Sequence, residues 1–379
     1  MAEIGETPSG SRIHIAFFGL RNAGKSTLVN RFTGQDVAIV SDVAGTTTDP
    51  VSKAMEILPL GPCLVTDTAG LDDVGALGEM RVKATLRVLE TTDVAVWVAM
   101  DGDGDSELRR AVAEGCAKRG VPLLVYRRGD SVEGLRGKVA ALKLADEPPG
   151  LLDGLVARGG RVVCVCPIDE SAPKGRLILP QVQVIRECLD IGATCIVCQP
   201  AELAGAMRAA GDGALVITDS QAFGEVRRAV AGLDARLTSF SVLFARQKGD
   251  LAEYAKGLAA IRSLKDGDTV LVAEGCTHRR QCNDIGTVKI PRALVKKTGR
   301  DLRFSFASGG SFDFGEGPGR AALVVQCGGC MLTRREVMRR IGMCHAAGVP
   351  IVNYGLLLGA AAGMDFGGRT ALDCRVIRL

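Results

Sequence analysis

The sequence predicts an α/β protein made of three successive units. Short apolar runs rich in Val, Ile and Leu alternate with stretches of helical periodicity along most of the chain. Glycine is abundant at 48 of 379 residues while aromatic residues are only 4%, so the cores must rest on small aliphatic side chains between tight turns. The first apolar run also leads straight into a glycine-rich loop that opens a helix, as in α/β layers.

Composition narrows the field further. With 47% apolar and 24% charged residues, the chain is neither disordered nor fibrous. A net charge of +4 is too small to attract nucleic acid or an anionic membrane by itself. No apolar run approaches the ~20 residues needed to cross a bilayer, and the opening MAEIGETPSGSR lacks a basic-then-apolar signal pattern. A cytoplasmic protein without a membrane partner is therefore expected. Its thirteen cysteines are then expected to be free thiols or metal ligands rather than a disulfide framework.

The first unit, residues 1–150, opens with RIHIAFFG as a buried strand and LRNAGKSTLVNRF as a helix. Between them, Gly19-Leu20-Arg21-Asn22-Ala23-Gly24-Lys25-Ser26 matches G-x-x-x-x-G-K-[ST] in full. Backbone N–H groups from Gly19 through Gly24 to Thr27, Asn22 and Ala23 among them, can cradle phosphates at the helix N-terminus. Lys25 can reach the β and γ oxygens, and the Ser26 hydroxyl can hold Mg²⁺. Two later stretches fall where a nucleotide switch is placed: Gly45-Thr46-Thr47-Thr48-Asp49, and Asp67-Thr68-Ala69-Gly70 after the strand CLVTD. One of Thr46, Thr47 and Thr48, with Thr47 preferred, would coordinate Mg²⁺. Asp67 would support the metal from one layer further out, and the Gly70 N–H would contact the γ-phosphate. Hydrolysis would release both segments.

The order and spacing of these motifs resemble the translation-factor-related GTPases. Asn22 stands where a potassium-activated subgroup carries its ion-binding Asn, so the resemblance implies K⁺ beside the phosphates as a charge-stabilising element. Lys25, Asn22, Thr47, Asp67 and Gly70 are accordingly the expected catalytic residues. Leu71 and Asp72 stand where a Gln would follow, and slow hydrolysis is expected. The base-reading element is altered: Arg127-Arg128-Gly129-Asp130 replaces Asn-Lys-x-Asp after the strand VPLLVY. Asp130 can still accept from the N1 and N2 groups of guanine and Arg128 can stack, but Arg127 cannot reproduce the contacts of an Asn. A second base-contacting element matches Ala140-Ala141 only loosely, so GTP and GDP remain the expected ligands with weakened discrimination.

At about residue 150 the paired prolines of ADEPPGLLDG mark a boundary. The second unit, 151–262, alternates RVVCVC, ILPQVQVIRECLD, ATCIVC, AELAGAMRAA, ALVITD and EVRRAVAGL, which predicts a smaller α/β layer around a parallel sheet. Cys195 and Cys198 are formally C-x-x-C, but their apolar neighbours predict a buried strand with thiols packed as small hydrophobes. No catalytic set is apparent, so an assembly role is expected, with the helix over ILPQVQVIRECL as a candidate dimer face.

The third unit, 263–379, places Cys276 after the strand TVLVAEG, with His278 close by, and Cys327-Gly328-Gly329-Cys330 after the strand ALVVQ. Three thiolates delivered by two strand ends suit a [4Fe-4S] cluster with one iron left for another ligand. With His278 as fourth ligand they equally suit a Cys₃His zinc site. The basic residues between Arg279 and Arg303 form either a solvated face or a docking surface for an acidic partner.

PIDESAPKGRLILPQVQVIRECLD, LVITDSQAF, LTSFSVLFARQKGDL, LKDGDTVLVAEGCTHRRQCNDIGTVKIPRALV, QCGGCMLTRREVMRRI and VPIVNYG closely resemble the [FeFe]-hydrogenase maturation GTPase family, HydF. The resemblance implies a P-loop GTPase domain, a central dimerisation domain and a C-terminal α/β iron-sulfur domain. It also implies that Cys276, Cys327 and Cys330 ligate a [4Fe-4S] cluster. By the same resemblance, the chain receives a diiron precursor made with two radical-SAM maturases and passes it to apo-[FeFe]-hydrogenase, working as a homodimer or larger assembly. Gln326 stands where the family pattern has His, so a fourth ligand must be His278 or come from outside. The rival expectation is a ribosome- or RNA-associated GTPase with a Cys₃His zinc module, disfavoured by the scarcity of aromatic residues for base stacking.

Overall fold

The computed structural model describes residues 9–34, 51–68, 85–100, 106–142, 149–168, 177–275, 284–308, 312–315, 320–329, 332–361 and 377–378. The chain falls into two compact units, 1–147 and 148–379.

In the first unit, β1 (Ile13–Phe18) is followed by α1 (Lys25–Thr33), β2 (Val51–Ile57), β3 (Gly61–Asp67), a helical stretch α2 (85–90), β4 (Val94–Ala99), α3 (Glu107–Arg119), β5 (Leu123–Arg127) and α4 (Val132–Ala140). The sheet order is β2-β3-β1-β4-β5, with only β2 antiparallel to its neighbour. IHIAFF and VAVWVA are apolar at nearly every position because helices cover both faces. Phe17 and Val96 pack with Leu28, Val29 and Phe32 of α1, while Phe18 and Trp97 pack with Val112 and Cys116 of α3. Helix α3 starts where the Ser106 side chain accepts from Arg109 N–H and stops at Gly120, whose φ of 63° needs no Cβ.

The second unit carries two sheets. The first is built from β6 (Arg161–Val165), α5 (Leu179–Asp190), β7 (Thr194–Cys198), α6 (Leu203–Ala210), β8 (Ala214–Thr218), α7 (Phe223–Val230) and β9 (Ala235–Ser239). Helices α8 (Phe240–Lys248) and α9 (Leu251–Ala260) lead to the second, made of β10 (Thr269–Ala273), α10 (Ile290–Thr298, entered through a π-helical turn at Ile285–Lys289), β11 (Arg303–Ala307), β12 (Ala321–Gln326), α11 (Arg334–Ala347), β13 (Ile351–Asn353) and α12 (Tyr354–Ala361). Its order is β11-β10-β12-β13, all parallel. A two-residue strand, β14 (Ile377–Arg378), pairs antiparallel with β9, so the first sheet reads β14-β9-β8-β6-β7.

One apolar cluster joins Val163 and Val216 of the first sheet to Val272, Val324 and Val352 of the second. The two sheets therefore share a core instead of closing separately. The parallel sheet expected over 151–262 is present, and so is the strand at Cys195, but that strand is partly exposed rather than buried. As the edge strand, β7 has a neighbour on one side only, and Val197 is 44% exposed.

Candidate functional site

The loop between β1 and α1 is shaped by three local constraints. Gly19 lies so close to β4 that a Cβ would stand 2.7 Å from the Val98 carbonyl oxygen. Asn22 and Gly24 take left-handed backbone with φ of 62° and 83°, and Ala23 N–H closes a turn onto Leu20 O at 3.2 Å. Helix α1 then starts at once, with Leu28 N–H bonded to Gly24 O at 2.9 Å. Lys25 is 3% exposed, and its ammonium donates to Gly19 O at 3.0 Å and Leu20 O at 2.9 Å. The cation is thus held within the loop's own curve, at the positive end of a helix, where a phosphate chain would meet it. Ser26 is half-buried and Thr27 exposed just beyond.

Asp67 ends β3 opposite Phe17 of β1 and is 8% exposed. The Thr68 hydroxyl donates to Phe17 O at 2.7 Å, which ties the end of β3 to the strand that feeds the loop. Thr46, Thr47, Thr48 and Gly70 lie outside the described residues. At the end of β5, Asp130 Oδ2 accepts from Arg127 N–H at 2.7 Å and the Tyr126 hydroxyl donates to Asp130 O at 2.8 Å. The Arg127-Arg128-Gly129-Asp130 turn is exposed at the same sheet edge as the phosphate loop, because β1, β4 and β5 run parallel. Ala140 and Ala141 close α4, with Ala141 N–H on Gly137 O at 3.0 Å. Sequence reasoning missed Arg136, whose guanidinium Nε donates to Phe32 O at 2.9 Å and lies 5.8 Å from the Phe32 ring centroid, fastening α4 to α1. Nothing in the local sequence pairs Arg136 with a residue a hundred positions earlier.

In the second unit, β10 and β12 run side by side with Ala273 opposite Gln326. Just past them, Gly275 N–H donates to Cys327 Sγ at 3.1 Å, and Asn353 Nδ2 donates to Cys327 O at 3.4 Å. The turn that follows is bolted from below by Lys248, 5% exposed, whose ammonium donates to Gly329 O at 3.1 Å and Leu332 O at 2.9 Å. Gly329 has φ of 66°, so the second glycine of the spacer is needed for the turn. Tyr254 lies close enough for its phenol to be pushed up, chiefly by burial and next by the Cys327 sulfur.

Cys276, His278 and Cys330 lie outside the described residues, and among the described residues no group of three or more His, Cys, Asp or Glu converges as a metal site. The chemistry around Cys327 nonetheless fits thiolate ligation: a backbone N–H points at its sulfur, a contact that stabilises sulfur-bound iron, and Gly275, the donor, immediately precedes Cys276 in the chain. Gln326 is fully buried, and neither amide atom finds a partner among the described residues.

Comparisons with known proteins define the class first. Residues 14–127 match the family model described as 50S ribosome-binding GTPase. Over 118 residues the chain is 42% identical to GTPase Der of Xylella fastidiosa strain M23, covering 30% of this chain and 25% of that protein. Over 149 residues it is 30% identical to the tRNA modification GTPase MnmE of Laribacter hongkongensis, covering 39% and 32% respectively. The chain thus spans about a quarter to a third of the length of these relatives. A solved structure of Aquifex aeolicus Era bound to GDP and aluminium fluoride matches at 17% identity with a TM-score of 0.24, covering 78% of this chain and 93% of that one. The family-model match over residues 14–127 makes the first unit a P-loop GTPase domain. Residues 151–249 match the hydrogen maturase F dimerization domain and residues 252–365 the hydrogen maturase F tetramerization domain. The chain belongs to the hydrogen maturase F (HydF) family.

Proposed function

We propose that this chain is a GTP-dependent carrier in [FeFe]-hydrogenase maturation. It would hold a [4Fe-4S] cluster and a diiron precursor as cargo and deliver the precursor to apo-hydrogenase, in company with two radical-SAM maturases. The match of residues 151–365 to hydrogen maturase modules favours this reading over a ribosomal or RNA-associated one.

In the first unit, Gly19 to Thr27 would bind the phosphates and Ser26 with Thr47 the Mg²⁺. Lys25 would neutralise charge on the β and γ oxygens, Asp67 would support the Mg²⁺ from one layer further out, and the Gly70 N–H would contact the γ-phosphate. Asn22 would hold K⁺, and hydrolysis would be slow, as suits a timing signal. Asp130 would accept from the guanine ring. In the second unit, Cys276, Cys327 and Cys330 would hold the cubane, which when bound would supply an iron with an exchangeable position. His278 is the internal candidate for that position. The division of this unit near residue 262 into dimerisation and cluster-bearing parts is proposed with it.

The observation that carries the reading is the Gly275 N–H to Cys327 Sγ bond, which sets the ends of β10 and β12 against one another where the thiolates enter the chain. Anaerobic purification followed by iron and zinc analysis and spin-resonance spectra tests it. A brown protein with about four irons, losing them in Cys327→Ser, is expected. A colourless protein with stoichiometric zinc would overturn it. Loading the iron-replete protein with a diiron mimic and assaying activation of apo-hydrogenase tests delivery.

A further inference from the structure

The central sheet holds a group of thiols that the proposed function does not use. Cys195 on β7 and Cys164 on β6 stand with their sulfurs 3.6 Å apart, and Cys188 on α5 belongs to the same apolar cluster. Cys164 and Cys188 are fully buried, whereas Cys195 is half-buried on an edge strand beside exposed Thr194 and Val197. All three belong to the apolar layer between the sheet and α5, together with Val162 and Val184. Cys198 packs into the cluster on the opposite face, so it cannot join them.

We propose that these three cysteines form a peroxide-reactive modification site, in which Cys195 is the attacking thiol and Cys164 closes a reversible disulfide across β6 and β7. The arrangement divides the roles. Cys195 is the member of the three that reaches solvent, and its thiol donates to the Cys164 sulfur 3.6 Å away, whereas Cys164 and Cys188 are buried. One sulfur is thus open to an oxidant while a second stands beside it, ready to close on it.

The chemistry balances with hydrogen peroxide as the oxidant. The Cys195 thiolate attacks one peroxide oxygen; an S–O bond forms, the O–O bond breaks, and hydroxide leaves to take up a proton as water. Cys164 sulfur then attacks Cys195 sulfur; an S–S bond forms, the S–O bond breaks, and the departing hydroxide takes the Cys164 proton as a second water. Two thiols lose two electrons and one peroxide becomes two waters. The sulfurs must close to about 2.05 Å, a movement open to β7 because it is bonded along one side only. Any small thiol reverses the step.

Mapping of the intact, full-length protein tests this. Reduced protein is treated anaerobically with stoichiometric hydrogen peroxide, free thiols are blocked, and linked peptides are sequenced by fragmentation mass spectrometry. A Cys164–Cys195 bridge that disappears with dithiothreitol is expected. Cys164→Ser should instead leave Cys195 as a sulfenic acid trapped by dimedone, and Cys195→Ser should lose both products. Unmodified Cys195 in the wild-type protein, oxidation confined to other cysteines, or a bridge from Cys195 to Cys188 would each overturn the assignment. The wild-type map decides the matter even if a serine variant folds poorly.

Discussion

Lys25 illustrates how a single side chain can be committed before any ligand arrives. Its ammonium is buried and held by two loop carbonyls, so its place is set by the loop rather than by a nucleotide. Lys25→Ala should leave the fold intact and lower single-turnover GTP hydrolysis by at least about 100-fold, the usual cost of removing one charge-stabilising donor. Asn22→Ala should abolish any rate difference between K⁺ and Na⁺; equal wild-type rates in the two salts would refute the potassium role. Gln326 makes the opposite case. A buried amide with both atoms unpaired costs about 1–3 kcal/mol, so Gln326→Met should raise the denaturant midpoint, while Gln326→Ala should lower it by opening a cavity. If Gln326→Met is destabilised instead, the amide has a partner beyond the described residues. The Gln in place of His before Cys327 was plain in the sequence; that it would be sealed away with no partner among the described residues was not, because burial depends on Ala273 and Asn353 flanking it in the sheet.

Elements in the second unit are held by ion pairs at helical spacing and by close contacts between elements. On α11, Glu336 accepts from Arg339 at 2.7 Å and from the fully buried Arg340 at 2.7 Å, and Arg340 also lies 5.0 Å from the Phe312 ring centroid. Glu336→Ala would leave a guanidinium buried without its carboxylate, which should cost about 3–5 kcal/mol in chemical denaturation. Gly257 in α9 presses on β13 so closely that any Cβ would collide with the Ile351 carbonyl. Gly257→Ala should therefore cost at least about 1–3 kcal/mol although alanine is the better helix former. Glu253 of α9 is held below the ordinary carboxylate range, first by Lys256 and also by His345 of α11. Because its folded value lies below the ordinary 4.5, this contact contributes fully above that pH and is lost as pH falls through the folded value. A melting-temperature gap between Glu253→Gln and wild type that narrows as pH falls below 4.5 would fit; a constant gap would not.

At the scale of the whole molecule, the chain joins a GTPase domain to modules named for dimer and tetramer formation. The sequence suggested assembly for residues 151–262, while the tetramerization match at 252–365 overlies the segment whose cysteines suggested metal. On α5, Val182 is 47% and Leu189 is 70% exposed, an apolar outer face on a helix whose inner face is buried. Light scattering of the full chain should report a dimer or larger species, and Leu189→Lys with Val182→Lys should shift it toward smaller mass. No shift would place the contact elsewhere. No described helix is long and apolar enough to cross a membrane.

The phosphate loop, the alternation of strands and helices and the glycine turn after Cys327 were legible in the sequence because each depends on residues close together along the chain. Left-handed backbone at Gly24, an N-terminal helix turn and a strand's apolar run are local matters of sterics and hydrophobicity. Tertiary structure alone decided that β7 would be an edge, that two sheets would share one core, and that Cys164, Cys188 and Cys195 would meet. Those outcomes turn on which surfaces are left uncovered once all the strands have paired, a competition among distant segments that no local pattern records.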